Sequence, residues 1–384
     1  MALDQDTFQQ FLDTIGRFVR ERMVPNEDRL EAEDHVPPEV LAEMKDIGLF
    51  ALTIPEQYDG LGLGMEEEAR VLFEVCLASC AYRTVFATTV GIGSQGLVID
   101  GTEEQRQRYL PRLARGEIIG SFCLTEPNAG SDAASLRTRA VRDGDSYVIN
   151  GTKRFITNAP DAGLFTVFAR TNPEEKGATG ISAFLVEAGT PGLSLGKPDK
   201  KMGQRGSHTC DVIFEDCRVP SSALLGGVEG QGFKTAMKVL DRGRLHIAAA
   251  SVGAAERLIR DSLTYAMDRR QFGRPIAEFQ LVQAMLADSR TEAYAARCMV
   301  LDAARRRDAG ENVTALASCA KLFATEMVGR VADRAVQIHG GSGYIADFKV
   351  ERFYRDVRLF RLYEGTSQIQ QIIIAKAMIK DAVH

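Results

Sequence analysis

Apolar residues recur every three or four positions over most of the first 119 residues, which is the spacing of an amphipathic helix. The pattern is clear at 8–19, 38–49 and 66–99, and a loop rich in Gly and Pro at 54–64 separates the last two stretches. We therefore predict a helical domain at residues 1–119.

From about residue 120 the apolar residues fall at alternate positions, which is the pattern of half-buried strands. Most of these stretches are bounded by Gly, Asn, Asp or Pro, residues that favour turns. Strands are predicted at 146–149, 154–157, 164–169, 181–186 and 211–214. Residues 120–229 are therefore predicted to form a small β domain.

Beyond residue 230 long helical patterns return, with breaks at 272–275 and 340–343 where Gly and Pro occur. The helical stretches lie at 234–270, 275–308, 313–338 and 366–382. Four long helices are typical of a bundle. The fold class predicted for the whole chain is α+β, with a C-terminal helical bundle at residues 230–384.

The composition narrows the class of protein. With 384 residues, the chain can form two or three structural units around a large core. A net charge of −5 argues against a general nucleic-acid binder, which needs a basic face. The stretch 245–255, the longest apolar run without a charge, is too short to cross a bilayer, and the N-terminal residues lack the layout of an export signal. The seven cysteines form no C-x-x-C pair, so we expect buried, reduced thiols in a soluble cytoplasmic protein.

Familiar signatures of other enzyme classes do not apply. Residues 91–96 (GIGSQG) match the dinucleotide pattern G-x-G-x-x-G, but nothing around them predicts a βαβ unit. We interpret this segment as a helix end built from small residues. The sequence has no H-E-x-x-H, G-x-S-x-G or P-loop motif and only five histidines, so neither a metal centre nor a serine hydrolase site is predicted.

Glu364 is the first candidate for chemistry. It precedes Gly365, whose backbone can bend sharply, and a helix whose start carries Ser367 and Gln370 at capping-box spacing. A carboxylate on such a turn beside apolar surface loses solvation, and its pKa rises toward that of a useful base. The alternative is ordinary, because a glutamate near a helix N-terminus also complements the helix dipole.

Two segments of the β domain suggest a flat cofactor. Residues 122–132 place hydroxyls and a glycine beside a strand, and residues 151–158 put Phe155 and Thr157 on one face of another strand. An aromatic wall with nearby hydrogen-bond donors suits a heteroaromatic ring. Taken singly, either segment is better explained by a polar turn or an ordinary strand.

Several separated motifs resemble those of the acyl-CoA dehydrogenase family, in order and spacing, over essentially the whole chain. They are LTEPNAGSD at 124–132, FIT at 155–157, DRRQFG at 268–273, QIHGGSGY at 337–344 and YEGT at 363–366. The resemblance implies an N-terminal α-helical domain, a middle β-barrel domain that binds flavin and substrate, and a C-terminal four-helix bundle. This is the order that the periodicity indicates.

The resemblance also implies FAD, a coenzyme A thioester and the formation of a trans-2-enoyl-CoA. Glu364 matches the family's base, which removes the α-proton while the β-hydrogen leaves as hydride to the flavin, and electrons then pass to an electron-transfer flavoprotein. One branch of the family places its base where this chain has Gly243, and glycine cannot act as a base. Arg244 matches a residue that helps to position the base.

The other site residues are assigned by resemblance alone. Thr125 and Thr157 would bond the flavin ring and Phe155 would pack on it, although most relatives have Trp there. The remaining cofactor contacts, several of them to the FAD of a neighbouring subunit in a homotetramer (a dimer of dimers), would be Ser131, Arg269, Phe272, Gln280, Gln337, Gly340, Gly341, Thr366 and Gln368. Substrate contacts would be Ser131, Asp241, Arg244, Tyr363 and Gly365.

Arg83 bears on the identity of the substrate. It is the lone charge in the apolar stretch 78–90, and a buried guanidinium is costly unless it is paired. Tyr82 and Arg83 resemble the pair in glutaryl-CoA dehydrogenases, where the arginine holds a distal carboxylate, and desulfinase relatives carry an arginine there too. Against this, Ala87 replaces their serine, and the arginine could instead pair with an acid such as Glu74 or with helix carbonyls. Other motifs resemble short-chain and branched-chain enzymes, so a short acyl-CoA is favoured and an acidic acyl tail is the alternative.

Overall fold

A computed structural model of the chain describes residues 4–175 and 177–383. The N-terminal part is helical, as the periodicity predicts. Its helices are α1 (Gln5–Phe18), α2 (Glu27–Glu33), α3 (Pro38–Asp46), α4 (Met65–Val75), α5 (Cys80–Thr88), α6 (Gln95–Asp100) and α7 (Glu103–Ala114).

The stretch 66–99, predicted as one helical run, is divided in the structure. Helix α4 ends at Val75, and α5 begins after Ser79, whose hydroxyl accepts a hydrogen bond from the Ala81 amide at 3.4 Å. The buried carboxylate of Glu27 accepts a second bond, from the Ser79 amide at 2.8 Å. The periodicity does not reveal this break because residues 76–79 are themselves apolar or small.

The G-x-G-x-x-G segment forms a junction between helices. A π-helical turn, Thr89–Gly93, follows α5 directly and leads into α6, which ends at Asp100. A β-carbon on Gly93 would lie 2.9 Å from the carbonyl carbon of Gly120. The small residues therefore allow a helix to approach a strand closely, and the segment does not follow a strand as a dinucleotide loop does.

The middle of the chain forms one curled sheet of seven strands. The strands are β1 (Ile119–Cys123), β2 (Arg139–Asp143), β3 (Ser146–Thr157), β4 (Ala162–Arg170), β5 (Ile181–Glu187), β6 (Leu193–Leu195) and β7 (Thr209–Pro220). Their order is β1-β4-β2-β3-β7-β6, with β5 paired to β4. The stretches 146–149 and 154–157, predicted as separate strands, are the two ends of β3, whose register against β7 shifts between Lys153 and Ile156.

The C-terminal part contains the long helices α8 (Gly232–Asp268), α9 (Gln280–Asp308), α10 (Thr314–His339) and α12 (Ser367–Val383), with the shorter α11 (Val350–Val357) before the last. A two-residue hairpin of β8 (Arg270–Gln271) and β9 (Arg274–Pro275) joins α8 to α9. Helix α10 contacts α8, α9 and α12, and α4 packs against α8 and α9. One apolar core therefore runs through the N-terminal and C-terminal helices.

The burial of the cysteine thiols only partly matches the expectation from the sequence. All seven cysteines are free, and five are buried, but Cys298 is exposed and Cys319 is half-buried, so the expectation of buried thiols is wrong for these two. Both lie on bundle helices with a solvent-facing side. Within residues 4–175 and 177–383, no group of His, Cys, Asp and Glu could hold a metal ion, and no helix has the length and apolar character to cross a membrane.

Candidate active site

The turn that carries Glu364 has an unusual backbone. Glu364 has a φ of 54° and Gly365 a φ of 86°, so two successive residues lie in the left-handed region. That region is strained for a glutamate and easy for a glycine. A β-carbon on Gly365 would also come within 2.6 Å of the Gln370 amide nitrogen. The turn therefore requires glycine at 365. The surrounding structure holds the backbone of Glu364 in its strained conformation and so sets the direction of the side chain.

The predicted capping box of Ser367 and Gln370 is wrong. Thr366 caps α12, because its hydroxyl accepts a hydrogen bond from the Ile369 amide at 3.3 Å. The Ser367 hydroxyl instead donates to Glu326 at 2.6 Å, and the Gln370 amide turns back to the carbonyl oxygens of Glu364 and Gly365, each at 3.0 Å. The sequence spacing was right for a box, but the two side chains bond a neighbouring helix and the turn at residues 364–366, here called the base turn because Glu364 is the predicted base.

Lys321, on α10, is a member of the site that sequence reasoning missed. Its buried ammonium donates to the Gly365 carbonyl at 2.7 Å, so Lys321 and Gln370 share one acceptor. Burial lowers the pKa of Lys321 to about 8, although the negative charge of Glu364 opposes the effect. A lysine in the middle of the alanine-rich run 315–324 was the available signal.

The carboxylate of Glu364 is enclosed even though its backbone is partly accessible. Its Oε2 atom is buried and has no hydrogen-bond partner among the residues that the structure describes. This oxygen lies against Gly243, where a β-carbon would be 2.5 Å away. Burial raises the pKa of Glu364 above its ordinary value, while Arg83, Arg244 and Lys321 act in the opposite direction.

Arg244 and Asp241 lie one helical turn apart on α8. The buried guanidinium of Arg244 pairs with one carboxylate oxygen of Asp241, and the Thr314 hydroxyl donates to the other at 2.9 Å. Asp241 is half-buried, and both of its carboxylate oxygens are engaged within the described residues. The arrangement holds Arg244 beside the Glu364 carboxylate and fixes its direction.

Arg83 is buried, with 5% of its surface exposed, but the alternative pairing with Glu74 is wrong. Its Nε donates to His246 Nε2 at 3.1 Å and its Nη1 donates to the Tyr363 hydroxyl at 2.8 Å. Glu74 lies in a different cleft, lined by Arg20 and Arg297. His246 was visible in the sequence as the one histidine of the apolar stretch 245–255, but its partner is 163 residues away along the chain.

The two flavin-type segments are held together by main-chain and buried charged contacts. The Arg154 amide donates to the Thr125 carbonyl at 2.8 Å, and Lys153 pairs with Glu126 at 2.7 Å. The Glu126 carboxylate also accepts the amides of Arg137 and Thr138, at 2.6 and 2.9 Å. Burial opposes ionisation of Glu126, but Lys153 and these donors hold its pKa below the ordinary value.

Phe155 stands on the bulge of β3 with a φ of 59° and is 61% exposed. The Arg154 guanidinium lies over its ring at 4.3 Å. Half-buried hydroxyls of Thr125 and Thr157 occur in the same two segments, and neither has a hydrogen-bond partner within 4–175 and 177–383. An exposed aromatic with two such hydroxyls fits a flat heteroaromatic ligand.

These segments lie beside the helix that carries Arg83. The side-chain amide of Asn158 follows β3 and donates to the carbonyl oxygens of Thr84 and Val85 at 3.1 and 3.0 Å. The structure therefore brings together the predicted flavin segments, Arg83 and, through Tyr363, the base turn. Ser131 lies in the exposed loop after Gly130, and Gln368 is exposed in the first turn of α12.

The remaining predicted cofactor residues lie at the other end of α8. Arg269 follows that helix, and its neighbour Tyr265 stacks on His339 at 4.2 Å and bonds Ser342 at 3.3 Å. At 1.5 Å per residue, α8 separates Gly243 from Arg269 by about 39 Å. The exposed group at this far end consists of Arg269, Phe272 (93% exposed), Gln280, Gln337, Gly340 and Gly341.

Comparison with known proteins identifies the class. Sequence patterns of the acyl-CoA dehydrogenase N-terminal, middle and C-terminal domains match residues 5–117, 121–217 and 230–379. The chain belongs to the acyl-CoA dehydrogenase family and is an oxidoreductase, with the helical domains and curled sheet of that fold. The family is one of flavoproteins.

Particular relatives are similar over nearly their whole length. Acryloyl-CoA reductase (NADH) of Anaerotignum propionicum is 43% identical over 378 residues, which are 97% of this chain and 94% of that protein. The structure of butyryl-CoA dehydrogenase from Megasphaera elsdenii is 35% identical, with a TM-score of 0.94 and coverage of 99% of this chain and 100% of that one. A chain in a structure described as the electron transferring flavoprotein of Acidaminococcus fermentans, a study of flavin-based electron bifurcation, is 38% identical, with a TM-score of 0.94 and 98% coverage of both chains.

Proposed function

We propose that this protein is an FAD-dependent acyl-CoA dehydrogenase in which Glu364 removes the α-proton of a short acyl-CoA to give a trans-2-enoyl-CoA. The observation that carries the proposal is the Glu364 carboxylate. It is enclosed, burial raises its pKa, and its Oε2 has no hydrogen-bond partner in the described part of the chain. Such a group takes up a proton more readily than an exposed glutamate.

The residues around Glu364 fix the position of the proposed base and influence its ionisation. The α-proton of a thioester is weakly acidic, so the base must be fixed in place and the enolate oxygen must meet preformed donors. Lys321 and Gln370 hold the carbonyls on the C-terminal side of the base turn, which fixes the direction of the Glu364 side chain before substrate arrives. Arg83 and Arg244 favour the ionised form of the resting carboxylate, because their positive charges oppose the rise in the pKa of Glu364 that burial causes.

We further propose that Thr125, Phe155 and Thr157 hold the flavin ring of FAD, with Ser131 near its pyrophosphate. When bound, FAD would supply the acceptor for the hydride that leaves the β-carbon. The two unpartnered hydroxyls and the exposed aromatic support this assignment. Thr366 and Gln368, at the start of α12, would contact the same cofactor.

The other cofactor residues support a site shared between subunits. Arg269 lies about 39 Å along α8 from Gly243 and the proposed base. Phe272, Gln280 and the loop 337–341 lie at the same far end of the helix. In this proposal they bind the adenosine part of the FAD of a neighbouring subunit, so the enzyme is a homo-oligomer, a tetramer arranged as a dimer of dimers. Electrons would leave to an electron-transfer flavoprotein, and the A. fermentans structure supports that partner.

The test of the base is Glu364→Gln. The variant is expected to be yellow with bound FAD but to fail to bleach when an acyl-CoA is added without oxygen, since an amide cannot take the α-proton. A suitable control is Glu311→Gln, an exposed carboxylate whose nearest cation is Arg306 at 3.6 Å. Normal bleaching of the Glu364 variant would exclude Glu364 as the base.

A second candidate is an acyl-CoA with an acidic tail held by Arg83, as in a glutaryl-CoA-type dehydrogenase or a desulfinase-like enzyme. The observation that favours it is that no carboxylate of residues 4–175 or 177–383 lies within ion-pair distance of Arg83. The retained Glu364 argues against pure elimination without proton abstraction. Rates of anaerobic flavin bleaching by butyryl-, isobutyryl-, isovaleryl-, octanoyl-, succinyl- and glutaryl-CoA distinguish the candidates.

A further inference from the structure

A buried chain of polar side chains runs from α4 to the base turn. Arg242 pairs with Glu68 Oε2, and Glu68 Oε1 lies 2.7 Å from His246 Nδ1. The other ring nitrogen of His246 accepts from Arg83, which in turn donates to Tyr363. Glu68, His246 and Arg83 are all buried, so the contacts operate with little competition from water.

The protonation of this chain follows from its geometry. An arginine nitrogen only donates hydrogen bonds, so His246 Nε2 must be the acceptor and the ring proton must lie on Nδ1, facing Glu68. The imidazole is therefore neutral. Burial, with the charge of Arg83, lowers the pKa of His246, and Arg242 and His246 hold the pKa of Glu68 below its ordinary value in spite of burial. Both directions agree with a neutral His246 and an ionised Glu68.

Along this row of polar side chains, the positive charge of Arg83 is not balanced by a hydrogen-bonded carboxylate. Arg242 matches Glu68, whereas the two hydrogen-bond partners of Arg83 are a neutral imidazole and a neutral phenol. Glu364 is a nearby negative charge that acts on Arg83, and it loses that charge when it takes up the α-proton. Arg83 Nη2 has no partner in the described residues and is not among the fully enclosed polar atoms.

The guanidinium is also held in one orientation. Its Nε is fixed by α8 through His246, and its Nη1 is fixed by the base turn through Tyr363. Because a guanidinium is planar, two such bonds set its plane and the direction of the third nitrogen. Neither bond alone would do so, since rotation about the remaining side-chain torsions would stay free.

We propose that His246 and Glu68 are positioning residues that present Arg83, which has no carboxylate of the described residues within ion-pair distance, to an anionic group at the end of the acyl chain. The inference rests on the second candidate of the proposed function, an acidic acyl tail at Arg83, and adds the residues that set the preference between acidic and neutral esters. Glu68 fixes the tautomer of His246, and His246 fixes Arg83. A ligand carboxylate at Nη2 would form a charge-assisted hydrogen bond in a dry site.

The experiment compares esters matched in carbon number, succinyl- with butyryl-CoA and glutaryl- with pentanoyl-CoA. Anaerobic flavin reduction gives kcat/KM for each ester in the wild type and in His246→Leu, His246→Gln, Glu68→Gln and Glu74→Gln. Glutamine at 246 still offers an acceptor to Arg83 and a donor to Glu68, whereas leucine offers neither. Glu74 is a second carboxylate on α4 that faces Arg20 and Arg297, so its variant is the matched control. Bound FAD and thermal unfolding are measured for every variant.

The wild type is expected to prefer the acidic esters. His246→Leu should lower kcat/KM for the acidic esters roughly tenfold more than for the neutral ones, the usual effect of losing a hydrogen bond to a charged group. Glu68→Gln should act in the same direction, His246→Gln should retain most of the preference, and Glu74→Gln should retain all of it.

Three results would overturn the proposal. Equal loss with both classes of ester in His246→Leu would assign His246 a purely structural role. If the wild type is bleached by neutral esters and shows no preference for acidic ones, the proposed anionic ligand of Arg83 is rejected, while the proposed dehydrogenase activity stands. Absence of bleaching by every ester would remove the dehydrogenase itself, and this inference with it.

Discussion

The Oε2 atom of Glu364 occupies the space that a side chain at Gly243 would need, since a β-carbon there would lie 2.5 Å from it. The proposed base, Glu364, and position 243, where the resemblance places the base of one branch of the family, are therefore adjacent in space. In this chain the carboxylate of Glu364 fills the space that Gly243 leaves, so a side chain at 243 and the Glu364 carboxylate in its present position exclude each other by volume.

Gly243→Ala is expected to displace the Glu364 carboxylate and to slow substrate-driven flavin reduction by about tenfold to a hundredfold, because small errors in the position of a base are costly. The helix itself should gain up to about 1 kcal/mol from the substitution. Gly96→Ala is the control, since its β-carbon would meet neighbours at an ordinary 3.5 Å. Slower stopped-flow reduction at a melting temperature no lower than that of the wild type would support the prediction, and an unchanged reduction rate would contradict it.

The pH dependence of flavin reduction should report the ionisation of Glu364. Burial raises the pKa of Glu364, so the rate should fall as pH decreases through a value above the ordinary 4.5. Arg83 lowers that pKa, so Arg83→Met should move the acid limb of the profile to higher pH. A neutral ester is the appropriate substrate, since it separates this effect from any contact with an acidic tail. An acid limb at the same pH in both proteins would show that Arg83 does not act on the base.

Lys321→Met removes one of the two donors to the Gly365 carbonyl. We expect a loss of about 1–3 kcal/mol in unfolding free energy and slower flavin reduction, because the base turn keeps only Gln370. Lys380→Met, at an exposed position of α12, is the matched control. Denaturant unfolding and single-turnover kinetics measure the two effects, and a stable but fully active Lys321 variant would refute the role.

Lys153→Met should leave the Glu126 carboxylate buried without its cation. The expected cost is about 3–5 kcal/mol in unfolding free energy, with weaker retention of FAD, because Glu126 organises the loop that precedes β2. The double variant Lys153→Met with Glu126→Gln should recover part of the loss, since the buried charge is then gone. If the double variant loses more unfolding free energy than the two single variants together, Lys153 and Glu126 do not stabilise each other as described.

Sequence reasoning located what is encoded locally and missed what depends on distant partners. The long bundle helices repeat their apolar pattern over many turns, so α8 and α10 were predicted within a few residues. The strands β1, β2 and β6 and the eight-residue α11 were missed, because short segments carry too little periodicity.

The site shows the same division. Glu364 and Phe155 could be found from motifs, but the partner of Arg83 could not, since His246 is 163 residues away and no local pattern joins them. The cap of α12 was misassigned for a related reason. Ser367 has the right spacing for a box, but Glu326 on another helix competes for its hydroxyl.

The length of α8 has a consequence for the activity of oligomers that contain two different defective chains. In the proposed shared site, the base of one chain works with the adenosine-binding end of another, so each active site is built from two copies. A chain defective at Glu364 and a chain defective at Arg269 would each be inactive alone. In a mixed oligomer, the intact Glu364 of one chain would share a site with the intact Arg269 of the other. That site would be active, so the two variants would complement each other.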